Sequence, residues 1–82
     1  MPRMTPHQVQ AAPLIPGYIT NYDRRDGVFR AVRVEGLSDY QRIYGCRDEV
    51  TASTPRELEW LCLAETVKAE MVARAERAVD GA

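Results

Sequence analysis

The 82-residue sequence predicts an α+β fold: an antiparallel β-hairpin or three-stranded sheet packed against a long C-terminal helix, with a short helix between. Three observations carry this. Two β-rich runs flank Asp26-Gly27, a Ser38-x-x-Gln41 signature opens a short helical pattern, and Thr54-Pro55 opens an unbroken run of helix formers to Asp80. A chain of this length is one domain with a small core. At 45% hydrophobic and 28% charged, its composition is that of an ordinary globule.

Residues 1–16 hold four of the five prolines and show no periodicity. Proline fixes φ and removes an amide donor, so this segment reads as a flexible arm, with His7 solvated, ahead of a single domain over 17–82.

Tyr18 begins the hairpin. With Asp26 and Gly27 as a two-residue type I′ loop, both at φ > 0, Arg25 faces Val28 and Ile19 faces Val34. Side chains alternate along strands, so one face collects Ile19, Val28, Val32 and Val34. The other collects Tyr18, Thr20, Tyr22, Arg24, Phe29, Ala31, Arg33 and Glu35. The β-branched face is assigned to the core. The Tyr/Arg face, with Arg24 within cation–π reach of Phe29, is then either a binding surface or a half-wet face covered by the arm. A three-residue loop would reverse that assignment.

Ser38 and Gln41 form a capping box, Tyr40, Ile43 and Tyr44 lie at i, i+3, i+4, and Gly45 suits a helix end. The rival reading of residues 40–46 is a third strand, and because a lone hairpin is rarely stable, "EVTAS" is a further strand candidate.

Thr54 as N-cap, Pro55 at N1 and Glu57 at N3 start the long helix, and Gly81 ends it. Its 26 residues span about 39 Å, longer than a domain of this size is wide, so its last turns should overhang. Trp60, Ala64, Val67, Met71, Ala75 and Ala78 recur at spacings of three and four, widened by Leu61 and Val72. The first half of that stripe is read as core and the alanine-rich remainder as a self-association seam or docking ridge. In "ELEWLCLAE", Leu58, Leu61 and Cys62 face one layer and Trp60 with Ala64 another. Leu63 is left over as the first candidate for a partner contact.

Chemistry-bearing patterns are absent from the sequence. No histidine lies in the body of the chain, no glycine-rich loop precedes a helix, and no serine has a histidine partner, so no enzyme, catalytic residue or cofactor is expected. Cys46 and Cys62 lack zinc-site spacing and read as buried free thiols rather than a disulfide or metal site. With no apolar run of membrane length and no signal-type segment, a cytoplasmic protein without membrane contact is expected. Net charge is −1, yet residues 1–47 carry seven arginines against four acids, a balance of +3, and residues 48–82 carry four basic against eight acidic groups, a balance of −4. The halves face different partners or each other.

The expectation is a non-enzymatic protein-binding regulator or inhibitor, by analogy of size an antitoxin-like or phage-type factor acting on a larger assembly. Its partner-binding residues would be Tyr18, Tyr22, Arg24, Phe29, Arg33, Arg42, Leu63 and Met71, and the C-terminal helix could form a homodimer. The alternative is a small DNA- or RNA-binding regulator whose Tyr/Arg sheet face enters a groove or stacks on bases. In element order, an antiparallel sheet followed by a helix is similar to the arm-site-binding domain of tyrosine integrases, a likeness of outline without a shared motif.

Overall fold

The computed structural model describes residues 11–81. It shows the expected α+β arrangement: β1 (Tyr18–Asp23), β2 (Val28–Arg33), α1 (Asp39–Ile43), β3 (Glu49–Ala52) and α2 (Pro55–Asp80). The strands form one antiparallel sheet in the order β1-β2-β3, so β2 is central. The rival reading of residues 40–46 as a strand is corrected, because the Ser38 capping box opens a helix there, and the third strand comes from the other candidate, "EVTA".

The hairpin register differs from the expected one. Asp23 pairs with Val28, leaving a four-residue loop over 24–27. The Asp23 carboxylate accepts hydrogen bonds from the amides of Arg25 (3.0 Å) and Asp26 (3.2 Å), and the Gly27 amide donates to the Asp23 carbonyl at 2.8 Å. Gly27 alone takes a left-handed conformation (φ +68°), so the type I′ turn, which needs positive φ at Asp26 as well, does not form. The ladder moves by two residues, so parity and the membership of each face survive.

What reverses is the face that goes inside. Tyr18 (8% exposed), Phe29 (4%) and Ala31 are buried with Val50 and Ala52 of β3 and with Leu58 and Cys62 of α2. Ile19 (69% exposed), Val32 and Val34 face solvent. The assignment of the β-branched face to the core is thus corrected, and the reason lies in its neighbours. The same face carries Asn21 and Arg30 in mid-strand, with Asp23 paired to Arg30 at the end of β1, and burying these beneath a helix is unfavourable. The opposite face confines its charges to the ends and offers aromatic rings around a small central Ala31. There Tyr22 and Phe29 pack with ring centroids 4.8 Å apart.

Residues 11–16 belong to the folded unit: Ala12 and Ile15 pack on the core, and the Thr20 hydroxyl donates to the Pro13 carbonyl. The expected arm therefore lies against the domain over these six residues. Residues 1–10, with His7, are outside the described residues.

Helix α2 begins as expected, with Thr54 Oγ1 accepting from the Glu57 amide at 3.1 Å, while Glu57 reaches back one residue further, to Ser53. Its buried residues are Leu58, Cys62, Glu65 and Ala69, spaced 4, 3 and 4. Beyond Glu76 every side chain of α2 is exposed, as the overhang argument requires. Helix α1 buries none of its own residues. Polar contacts from α1, its N-cap and the following turn secure this segment along α2 instead. Ser38 Oγ donates to Glu76 (2.9 Å), Gln41 Nε2 to the Ala69 carbonyl (3.0 Å), and Lys68 Nζ to the Gly45 carbonyl (2.9 Å). Just beyond α1, the Arg47 amide donates to the buried Glu65 carboxylate at 3.1 Å.

Candidate protein-binding surface

Successive residues of an α-helix are rotated by about 100°, so the direction of each α2 side chain follows from its position. Leu58, Cys62, Glu65 and Ala69 cluster on the side turned to the sheet and α1. Trp60, Ala64, Val67 and Met71 cluster about 180° away and are exposed, with Leu63 beside them. Trp60 is 62% exposed, Leu63 55% and Met71 64%. The stripe that sequence periodicity singled out is real, but its first half does not pack on the hairpin. It forms an outward apolar ridge on the back of the helix.

The reversal has a packing cause. Leu58 and Cys62 fit between helix and sheet where Ala31 leaves space, and both are fully buried. Turning the helix to admit Trp60 would bring Glu57 and Arg74 inward with it, since they border the same stripe.

At its N-terminal end the ridge runs into two shallow clefts that share Glu59 and Leu63. One is lined by Pro55, Arg56, Glu59, Trp60 and Leu63. The other, of about 310 Å³, lies between Leu14, Ile15 and Pro16 of the N-terminal segment and Cys62, Leu63 and Thr66 of the helix. Exposed apolar residues scattered singly are ordinary, whereas here Trp60, Leu63, Val67 and Met71 lie together on one helix face.

The other expected contact residues are dispersed. Tyr18 and Phe29 are interior, so neither can present its ring to a partner. Tyr22 is half-buried against Phe29, and Arg33 lies 6.0 Å above the Tyr18 ring, where the expected cation–π contact was Arg24 with Phe29. Arg24 is exposed in the turn, and Arg42 pairs with Asp48 at 3.1 Å. Only Leu63 and Met71 of the eight share the ridge. Trp60 and Val67 join them there, and the charged companions Glu57 and Arg74 on the same stripe were the available signal that this side faces water.

The outer sheet face is organised by Arg30. Its guanidinium pairs with Asp23 (2.8 Å) and Glu49, with Asp26 at 3.8 Å. The Arg30 hydrogen bond, helped by the Asp26 amide, holds the Asp23 carboxyl below the usual carboxylate range. The two carboxylates raise the Arg30 guanidinium in turn. This is an internally satisfied cross-strand network rather than a set of free cations. Cys46 and Cys62 are buried free thiols, as expected, and burial followed by the nearby Glu65 charge pushes the Cys62 thiol up, which suppresses thiolate reactivity.

No group of three or more His, Cys, Asp or Glu side chains suited to a metal occurs among the described residues, and no helix among them is long and apolar enough to cross a membrane. The chain matches no family model, no curated protein and no solved structure with which it was compared.

Proposed function

We propose that this is a non-enzymatic protein-binding module, a small regulator or inhibitor, that makes its contact through the outward ridge of α2. The observation that carries the reading is one continuous row, Trp60, Leu63, Val67 and Met71, left exposed on the side opposite a core that is complete without it. Tryptophan is among the residue types enriched at the centres of interfaces, and spacings of i, i+3, i+7 and i+11 suit a helix or a groove as the other half.

The nucleic-acid alternative loses support, because Tyr18 and Phe29 lie inside and Arg30 is already neutralised by carboxylates. It remains separable by salt: binding through phosphates weakens steeply with ionic strength, whereas an apolar ridge is tolerant.

The test is capture from a nuclease-treated native lysate by the tagged wild-type chain and by Val67→Asp. A stoichiometric protein retained by the first and lost by the second is expected. No stoichiometric partner, together with a monomeric mass in solution, would refute the reading.

A further inference from the structure

We infer that the ridge is occupied by a second copy of this chain, docked antiparallel with Ala64 facing the partner's Val67. This rests on the protein-binding reading and names its partner. The inference follows from where the two charged residues on the stripe fall.

Along the seam the inward positions of such a pair are Glu57, Trp60, Ala64, Val67, Met71 and Arg74, alternating by three and four. In the antiparallel register stated, Trp60 faces the partner's Met71 and Glu57 faces the partner's Arg74. Each contact occurs twice by symmetry. Both seam charges thus meet an opposite charge, at the two ends of an otherwise apolar contact.

Other arrangements lack this property. A parallel pair sets Glu57 against Glu57 and Arg74 against Arg74. Sliding the antiparallel pair by one heptad puts Arg74 over Ala64 with Glu70 beside Glu70, or, in the other direction, Glu57 over Val67. Like charges and unpaired charges at a seam select against all three.

The groups needed are accessible. Glu57 and Arg74 are exposed, and Arg74 takes part in no ion pair among the described residues. Glu57 uses Oε1 to accept from Ser53, which leaves Oε2 to the partner. The stretch 57–74 is about 27 Å long, and a single helix pair of that length makes a small contact, so exchange between monomer and dimer at about 1–100 µM is expected rather than an obligate dimer.

The test is sedimentation of the full chain over about 1–500 µM, read with the emission of Trp60. Mass should rise from 9.3 kDa to twice that, and Trp60 emission should shift to the blue over the same range. Val67→Asp should stay monomeric at all these concentrations with unchanged helix content. Glu57→Arg and Arg74→Glu should each weaken association by about tenfold or more. The double variant should recover to within about threefold of wild type, whereas a parallel pair, in which like charges stay opposite like charges on exchange, would show neither the loss nor the recovery. Because Glu57 also supports the helix start, the fold of its variants is followed by circular dichroism, and Arg74→Glu carries the same information without that complication.

A monomer throughout overturns the inference. If that monomer still captures another protein through Val67, the protein-binding reading stands alone. A dimer indifferent to Val67→Asp, or one that the double charge exchange does not restore, overturns it as well.

Discussion

Leu58 and Trp60 stand two residues apart on α2, and replacing each by alanine separates the two sides of the helix by energy. Leu58 is fully buried, and its truncation removes three carbons from the core. At about 0.8 kcal/mol per buried methylene the transfer loss is about 2.4 kcal/mol. If about 40 Å³ of the vacated space stays open, a cavity term of about 24 cal/mol per Å³ adds about 1 kcal/mol. The whole domain, at about 0.05–0.15 kcal/mol per residue, holds only about 4–12 kcal/mol. With a urea slope of about 1 kcal/mol per molar, Leu58→Ala should therefore lower the unfolding midpoint by about 3 M. Trp60→Ala, on the exposed ridge, should change monomer stability by no more than about 0.5–1 kcal/mol. The assay is urea unfolding followed by circular dichroism at micromolar concentration, where sedimentation gives the monomer mass. An equal or larger loss for Trp60→Ala under those conditions would refute the orientation of the helix.

Three further outcomes are expected. Because the folded-state carboxyl of Asp23 lies below its unfolded value, its stabilisation is present above about pH 4 and disappears as pH falls through the folded value. Asp23→Asn should accordingly flatten the acid limb of the unfolding midpoint, and an unchanged limb would deny Asp23 that role. Gly27 has room for a Cβ, the nearest atom being Tyr22 Oη at 3.9 Å, but its φ of +68° does not suit one. Gly27→Ala should lower stability by about 1–2 kcal/mol in thermal or urea unfolding and Gly27→Asn by less, and equal stability of glycine and alanine would contradict the turn described. Cys46 and Cys62 should react with an aromatic disulfide reagent only on unfolding, so two fast thiols in native buffer would contradict their burial.

Local signals were legible wherever a single element decides the outcome. The Ser38 box, the Thr54 cap with Pro55, Gly45 at φ +85° and both helices follow from side chains acting within four residues of themselves. The register was not legible, because the Asp23 carboxylate captures the amides of Arg25 and Asp26. That local competition replaces the two-residue turn by a four-residue one. Strand alternation determines the membership of each sheet face but not which face is buried. β-Branching marks a residue that suits a strand, not the side on which it is buried, and the decisive information was the company of Asn21, Asp23 and Arg30. The orientation of α2 follows the same logic. Its apolar stripe through Trp60 has the periodicity of a core face, yet Glu57 and Arg74 share that stripe, while the shorter set Leu58, Cys62, Ala69 includes Glu65. That glutamate is tolerated inside because the Arg47 amide and guanidinium meet its two oxygens. A rule that excludes carboxylates from cores fails where a loop brings a backbone donor, and nothing local to Glu65 announces that donor.

The run Trp60-Leu61-Cys62-Leu63 acquires a physical meaning from these assignments. Four consecutive apolar residues point almost all the way round a helix, so no single layer covers them. Cys62 points into the core, Leu61 is partly buried against it, and Trp60 and Leu63 point outward. The inner set satisfies the fold: it closes on Phe29, Ala31 and Val50 without help from the ridge. Exposed tryptophan, leucine, valine and methionine therefore add nothing to the core. If folding alone governed that side, polar helix formers would serve it as well. The ridge ends with the larger apolar side chains at Met71, and the alanine-rich stretch beyond it could bury little against any partner. An apolar ridge confined to residues 57–74 and bounded by one acid and one base is the arrangement on which the proposed reciprocal helix pair rests.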